Sequence, residues 1–368
     1  MEQLGPQRMI PVVMEAEMLN SREWRGELGA ALGKLLYTDM SGIDDASGEL
    51  WEARMDALAK LVRGICSGEG RAGAGAAAAA AAVGGVRPSA ASSSAPSALQ
   101  APDSIGDVRR TLDTVDQVCS FVADAGAAGR VRDDAGLAEA VLQKMRNLSV
   151  GNPDNTAKLG AAGACECVVA AMRAHSGNAV VAEHGCGAVR NLSVGNAENK
   201  AKLGAAGACE CVVAAMRAHL GNAALAGHGC AAITSLVINF PDNNAKLGAA
   251  GACESVAAAM RAHSGNAVVA GHGCGAVRNL SHGNPENKVK LVAAGACECL
   301  VAALRAHPGN AALPESACAA LWSLSVGSPE NKARLLAAGA TGACLAVLNN
   351  KSSSEVANTN AKGALGNL

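Results

Sequence analysis

The heptad RNLSVGN runs from Arg146 to Asn152 and again, letter for letter, from Arg190 to Asn196, 44 positions further on. A near-copy, RNLSHGN, begins at Arg278, and two more altered versions follow the same spacing, TSLVINF from Thr234 and WSLSVGS from Trp322. A fixed period of this length without strand signatures is the mark of an α-solenoid, in which each unit buries its apolar side only against its neighbours.

Each unit reads as three helices. The first opens at segments such as NPDN, where Asn152 caps, Pro153 takes the first helical position and Asp154 meets the positive end of the helix dipole. It stops at a glycine suited to a left-handed conformation, at Gly163, Gly207, Gly251, Gly295 and Gly339. A second helix follows, as in CECVVAAMRAH, and the third runs through NAVVAEHGCGAVRNL. Projection at about 100° per residue puts Ala182, Gly185, Cys186, Val189 and Leu192 on a core side. Glu183, His184, Gly187, Arg190 and Asn191 fall on an open side.

Composition agrees with packed helices. Half of the 368 residues are apolar but only 2% are aromatic, so the cores must be built from Ala, Val, Leu, Met and Cys. Lysine and arginine number 31 against 32 acids, and the net charge of -1 offers no general attraction to nucleic acid or to anionic membranes. No uninterrupted apolar run reaches the roughly 18 residues of a membrane span, and the Met1 end has no basic and apolar leader pattern, so the cytosol or the nucleus is the expected compartment.

The 14 cysteines follow the repeat instead of clustering. Cys186, Cys230, Cys274 and Cys318 share one slot of successive units, and Cys165, Cys209, Cys253 and Cys297 share another, which reads as reduced, buried small residues. The Cys-Glu-Cys triplets at Cys165, Cys209 and Cys297 give side chains about 200° apart on a helix, a poor start for a zinc site. One unit has Ser255 in the second place. No phosphate loop, HExxH or GxSxG pattern occurs, so no cofactor, metal or catalytic residue is assigned.

Taken together, the capped short helix (NxxNKxKL), the AGA turn, a second helix and a longer third ending in NLS resemble the armadillo repeat. The resemblance covers residues 106–368, with units at about 107–150, 152–194, 196–238, 240–282, 284–326 and 328–368. It implies an all-α, right-handed armadillo-type solenoid. It also implies a concave groove lined by third helices, in which asparagines hydrogen-bond the backbone of an extended partner.

The matching positions are Asn147, Asn191, Ser235, Asn279, Ser323 and Asn367. The competing reading is that these amides only satisfy carbonyls at the helix end. Arg146, Arg190 and Arg278 run beside them and serve either carboxylate contacts or solubility. His184, His228 and His272 either tune binding with pH or are simply solvated or locally bonded. Trp322 is either an anchor for a partner or packing against the next helix. Nuclear-import adaptors of the family carry tryptophan four residues before the asparagine, where this chain has Gly187, Ala231, Gly275 and Ala319, so recognition of basic import signals is not implied.

Residues 1–66 differ in character. RMIPVVM (Arg8 to Met14) and KLLYTDMSG (Lys34 to Gly42) read as buried strands, and ELWEARMDALAKLVRGI (Glu49 to Ile65) as a helix. Residues 7–66 resemble the C-terminal half of a TIR domain. The half in which some TIR domains carry an NAD-cleaving glutamate is not represented, so no residue here is carried over as catalytic. Residues 67–105, with seven alanines from Ala76 to Ala82, read as a flexible Gly/Ala/Ser/Pro-rich linker.

The function expected from these readings is a non-enzymatic scaffold or adaptor that holds a protein or peptide segment, with a place in signal transduction. The alternative is a TIR-type NAD hydrolase or TIR signalling protein, regulated by its armadillo array and read here in truncated form. A weaker third reading is transport or cytoskeletal scaffolding.

Overall fold

The computed structural model describes residues 111–310 and 312–368. The TIR-like stretch at 7–66 and the linker-like stretch at 67–105 both lie outside the described residues. Among the described residues there are eighteen helices and no strand.

The helices come in threes. The first set is α1 (Val115–Ala123), α2 (Ala125–Asp133) and α3 (Ala135–Ser149). Next come α4 (Pro153–Ala161), α5 (Ala164–Ala174) and α6 (Ala179–Ser193), then α7 (Ala197–Ala206), α8 (Ala208–Ala218) and α9 (Ala223–Val237). The fourth set is α10 (Pro241–Ala250), α11 (Ala252–Ala262) and α12 (Ala267–Ser281). The fifth is α13 (Pro285–Ala293), α14 (Ala296–Ala306) and α15 (Leu313–Ser325), and the last is α16 (Pro329–Ala338), α17 (Ala340–Asn349) and α18 (Glu355–Asn367). Successive third helices (α3, α6, α9, α12, α15, α18) make the most extensive contacts, so the array is an armadillo-type stack as the repeat predicts.

Local chemistry sets the boundaries. Asn152, Asn196, Asn284 and Ser328 cap first helices through their side chains, each accepting from the backbone N–H three residues on. The turn to the second helix passes through Gly163, Gly207, Gly251, Gly295 and Gly339, with φ between 84° and 96°, a region that penalises any Cβ.

The opening heptad can now be decoded residue by residue. Leu192 is fully buried, and Ser193 Oγ donates back to the Val189 carbonyl at 2.8 Å, closing the end of α6. Gly195 turns the chain at φ 68°, and Asn196 caps α7.

The units are joined by polar ladders as well as by apolar burial. Asn199 is 1% exposed, and its Nδ2 donates to the Leu192 carbonyl ending α6 and to the Thr156 carbonyl in α4, both at 3.0 Å. Asn243 repeats the pair with Leu236 (3.1 Å) and Lys200 (3.2 Å). The fit is close: Gly160, Gly204 and Gly248 lie directly under the carboxamides of Asn199, Asn243 and Asn287, leaving no room for a Cβ.

Alongside, Lys202, Lys246 and Lys290 donate to the carbonyls of those same three glycines at 2.8 to 3.1 Å. On the second-helix side, His175, His219, His263 and His307 donate through Nε2 to the preceding unit at Val131, Ser176, Leu220 and Ser264. Arg173, Arg217 and Arg261 reach forward to the terminal carbonyls of the next first helix at Ala206, Gly251 and Ala294. Two of these carbonyls, at Ala206 and Ala294, lie at a helix end where intrahelical donors run out.

Candidate binding face of the third helices

The core side of each third helix is settled by burial. Val181, Cys186, Val189 and Leu192 in α6 are all inaccessible, and their counterparts in α12 are too. Glu183, His184, Arg190 and Asn191 remain half-buried on the opposite side. Gly187 departs from the helical projection, which placed it on the open side. It is buried because the Arg146 side chain from α3 lies across it, so that a Cβ there would come within 2.7 Å of Arg146 Cδ. The same overlap recurs with Trp322 above Gly363, whereas Thr234 leaves a Cβ on Gly275 in ordinary contact at 3.6 Å. Residues 187 and 363 have no room for a side chain because the unit before lays one over them.

The row of six amide and hydroxyl positions is brought onto one edge of the stack, but its members do not behave alike. Asn191 Nδ2 donates to the Arg146 carbonyl at 2.9 Å, and Asn367 Nδ2 donates to Gly363 within its own helix at 3.2 Å. Ser323 Oγ accepts from Ser281 Oγ at 2.8 Å, and Ser235 is buried. Asn147 is exposed and Asn279 half-buried, and neither side chain makes a hydrogen bond among the described residues. Asn279 therefore leaves both N–H donors and its acceptor unengaged, whereas Asn191 has already committed one of its two N–H donors.

The charged and imidazole groups cluster at the N-terminal half of the row. Arg146 donates to His184 Nδ1 at 3.3 Å and lies 4.0 Å from the Glu183 carboxylate. Because guanidinium has only donors, His184 accepts at Nδ1 and carries its proton on Nε2. Burial, with Arg146 beside it, lowers the His184 pKa. Burial and then Arg146 take His228 down to about 4, and burial with Arg190 lowers His272. All three imidazoles are uncharged at neutral pH.

Two open pockets flank the end of α12. One, of about 310 Å³, lies among Ile238, Phe240, Asn244, Asn279 and His282. The other, of about 460 Å³, is bordered by Arg278, His282, Lys288, Trp322, Ser323 and Asn360. His282 and Gly283 belong to both, so the two pockets adjoin. Arg278 is exposed and Trp322 is 37% exposed, with one face of its ring over Gly363 and the rest open. Trp322 thus packs on the neighbouring helix and still presents aromatic surface.

The fourth unit opens irregularly, on Phe240. It makes no side-chain cap to α10, and its ring lies 5.6 Å from Lys200 Nζ. Lys200 Nζ also donates to the Ile238 carbonyl at 2.9 Å. Asn239 adopts φ 61° where the corresponding turns use Gly151, Gly195, Gly283 and Gly327.

The thiols are chemically quiet. Burial pushes Cys165, Cys186 and Cys230 up to about 12, and all three are free thiols. Both members of each Cys-Glu-Cys triplet are buried despite pointing apart, because the second helix is covered on both flanks. Among the described residues no group of three or more His, Cys, Asp or Glu is placed to hold a metal ion. No helix among them is long and apolar enough to cross a membrane.

The polar residues that sequence reasoning missed are the buried asparagines of the first helices. Their signal was available: Asn155, Asn199, Asn243, Asn287 and Asn331 keep their identity while the residue after each changes.

No model of a known protein family and no curated protein matches the sequence, so the TIR resemblance of residues 7–66 rests on the residues alone. Solved structures do match the fold. A designed armadillo repeat protein aligns over 69% of this chain and 100% of its own length, with 24% identity and a TM-score of 0.56. Another designed armadillo repeat protein, solved in complex with the peptide (KR)4, aligns over 69% of this chain and 98% of its own, with 24% identity and a TM-score of 0.54. A further engineered protein covers 73% of this chain and 66% of its own, at 18% identity and a TM-score of 0.59.

Proposed function

We propose that the third-helix face is the concave groove of a non-enzymatic scaffold, holding an extended segment of another protein. The observation that carries this reading is Asn279, whose carboxamide has no hydrogen-bond partner among the described residues while it borders an open pocket of about 310 Å³. An unengaged amide at one rung of a rigid stack supplies a donor and an acceptor to a passing backbone without reading its side chains. Rigid display lowers the ordering cost on the scaffold's side. A designed protein of the same fold that was solved with a bound peptide supports peptide holding as a use of this fold.

The test is Asn279→Ala against Asn191→Ala. The first removes only an unengaged amide and weakens peptide binding with helicity and melting unchanged. The second also removes the bond to the Arg146 carbonyl, so it lowers stability by about 1 kcal/mol as well. Unaltered binding in Asn279→Ala across a peptide panel sinks the reading. A role in signalling would be added only by the TIR-like stretch at 7–66, and groove binding does not depend on it.

A further inference from the structure

The larger of the two pockets flanking the end of α12 is bordered by cationic side chains and by no carboxylate. In the N-terminal half, Arg146 already has Glu183 at 4.0 Å. The corresponding pair between the fourth and fifth units is Arg278 and Glu315, and there no ion pair forms among the described residues. Glu315 instead accepts from Ser354 Oγ at 2.6 Å, and Arg278 is left exposed. Arg278 and Lys288 border the larger pocket together with His282, and no carboxylate borders either pocket. Lys288 Nζ spends one donor on the Val326 carbonyl at 3.2 Å, which keeps its ammonium at the pocket with two donors to spare. The open part of the Trp322 ring borders the same pocket as these cations.

We propose that these adjoining pockets bind an acidic, extended segment of another protein. One of its carboxylates sits against Arg278 and Lys288, and an apolar side chain sits against Trp322. The assignment rests on the groove reading above and adds the partner's chemistry. Uncompensated cations beside a half-exposed aromatic favour an anionic residue next to an apolar one, since each finds a complement that the chain itself does not provide. Asn279, on the border of the adjoining smaller pocket, meets the backbone of the same segment. The polarity is the reverse of that of the peptide (KR)4 bound by the designed protein of this fold.

The experiment is fluorescence anisotropy on the full chain with three labelled peptides of equal length: alternating Asp and Glu with a central Phe, alternating Lys and Arg, and alternating Ser and Gly with a central Phe. The acidic peptide binds most tightly and weakens as salt is raised. Arg278→Glu weakens it about tenfold or more, and Trp322→Ala also weakens it. Lys158→Glu makes the same change of charge on the exposed Lys158 of α4 and has little effect. Circular dichroism checks that each variant is folded.

Binding of the neutral peptide as tightly as the acidic one, or acidic binding that ignores Arg278→Glu, overturns the acidic occupant. The groove reading survives that result if Asn279→Ala still weakens whichever peptide binds. If none of the three peptides binds, both fall.

Discussion

Replacing Gly204 by alanine should destabilise the array, although alanine is the better helix former. Gly204 lies in α7, and a methyl group there would fall on the carboxamide of Asn243, which is 3% exposed and donates to the carbonyls of Lys200 and Leu236. Position 292 shows what a side chain at this place does. There Val292 stands where the earlier units have glycine, and Asn331 keeps its bond to Leu324 at 3.3 Å but makes none to the previous first helix.

Losing one such bond and stranding its buried carbonyl costs about 1 to 3 kcal/mol. The helical preference for alanine returns roughly 1 kcal/mol, so the net loss is between near zero and about 2 kcal/mol, more if both bonds go. Gly271→Ala in α12 is the matched control: nothing lies within 4 Å of its added methyl, and it gains up to about 1 kcal/mol. Urea melts followed by circular dichroism should therefore separate the two variants by roughly 1 to 3 kcal/mol in opposite directions. In the double variant Gly204→Ala/Asn243→Ala the methyl has no carboxamide to displace, so its cost is well below the sum of the singles. If Gly204→Ala melts at or above Gly271→Ala, the asparagine ladder is not what holds neighbouring first helices together.

Two further outcomes follow from titration and access. His228 has its folded pKa lowered to about 4, so its neutral form stabilises the fold above the unfolded value near 6.5 and that contribution is lost as pH falls towards 4. For a half-exposed group the effect is on the order of 1 kcal/mol after discounting for solvent screening, and His228→Gln should flatten stability against pH in that window. Cys165, Cys186 and Cys230, raised to about 12, hold protonated thiols in the fold where the unfolded chain ionises near 9. Stability therefore falls as pH rises from 9 towards 12, and mass-mapped alkylation at mildly alkaline pH should spare these three until denaturant is added.

The stack itself was legible because its signals are local. A cap, a proline and a left-handed glycine act within a few residues, and each recurs at Asn152, Pro153 and Gly163 and again down the chain. Burial of Asn199 was marked only by the recurrence of asparagine at its place in each unit, since its two acceptors lie 7 and 43 residues away and periodicity sees an asparagine only as polar. The covering of Gly187 by Arg146 fails for the same reason: a single-helix projection contains no neighbour.

At the site, sequence pattern placed six side chains at one helical position but could not tell their engagement apart. A pattern on one helix does not contain the unit before it, so it cannot tell an amide that turns to a neighbouring carbonyl, as Asn191 does to Arg146, from one that stays available, as Asn279 does. The cationic pocket at Arg278 was hidden further still, because it depends on Glu315 turning to Ser354.

The ladders between units have a consequence for how such a chain can grow. The units spanning residues 152–282 carry donors aimed backward, such as Lys246 to Gly204, and donors aimed forward, such as Arg217 to Gly251, while offering the matching acceptors at the same places. A duplicated 44-residue block inserted in register brings its own joints and asks its new neighbours for nothing they did not already supply. The long identical runs shared by residues 152–195 and 196–239 are the imprint expected of a molecule that can be lengthened like masonry, course upon course, with only the two outermost faces ever needing a different finish.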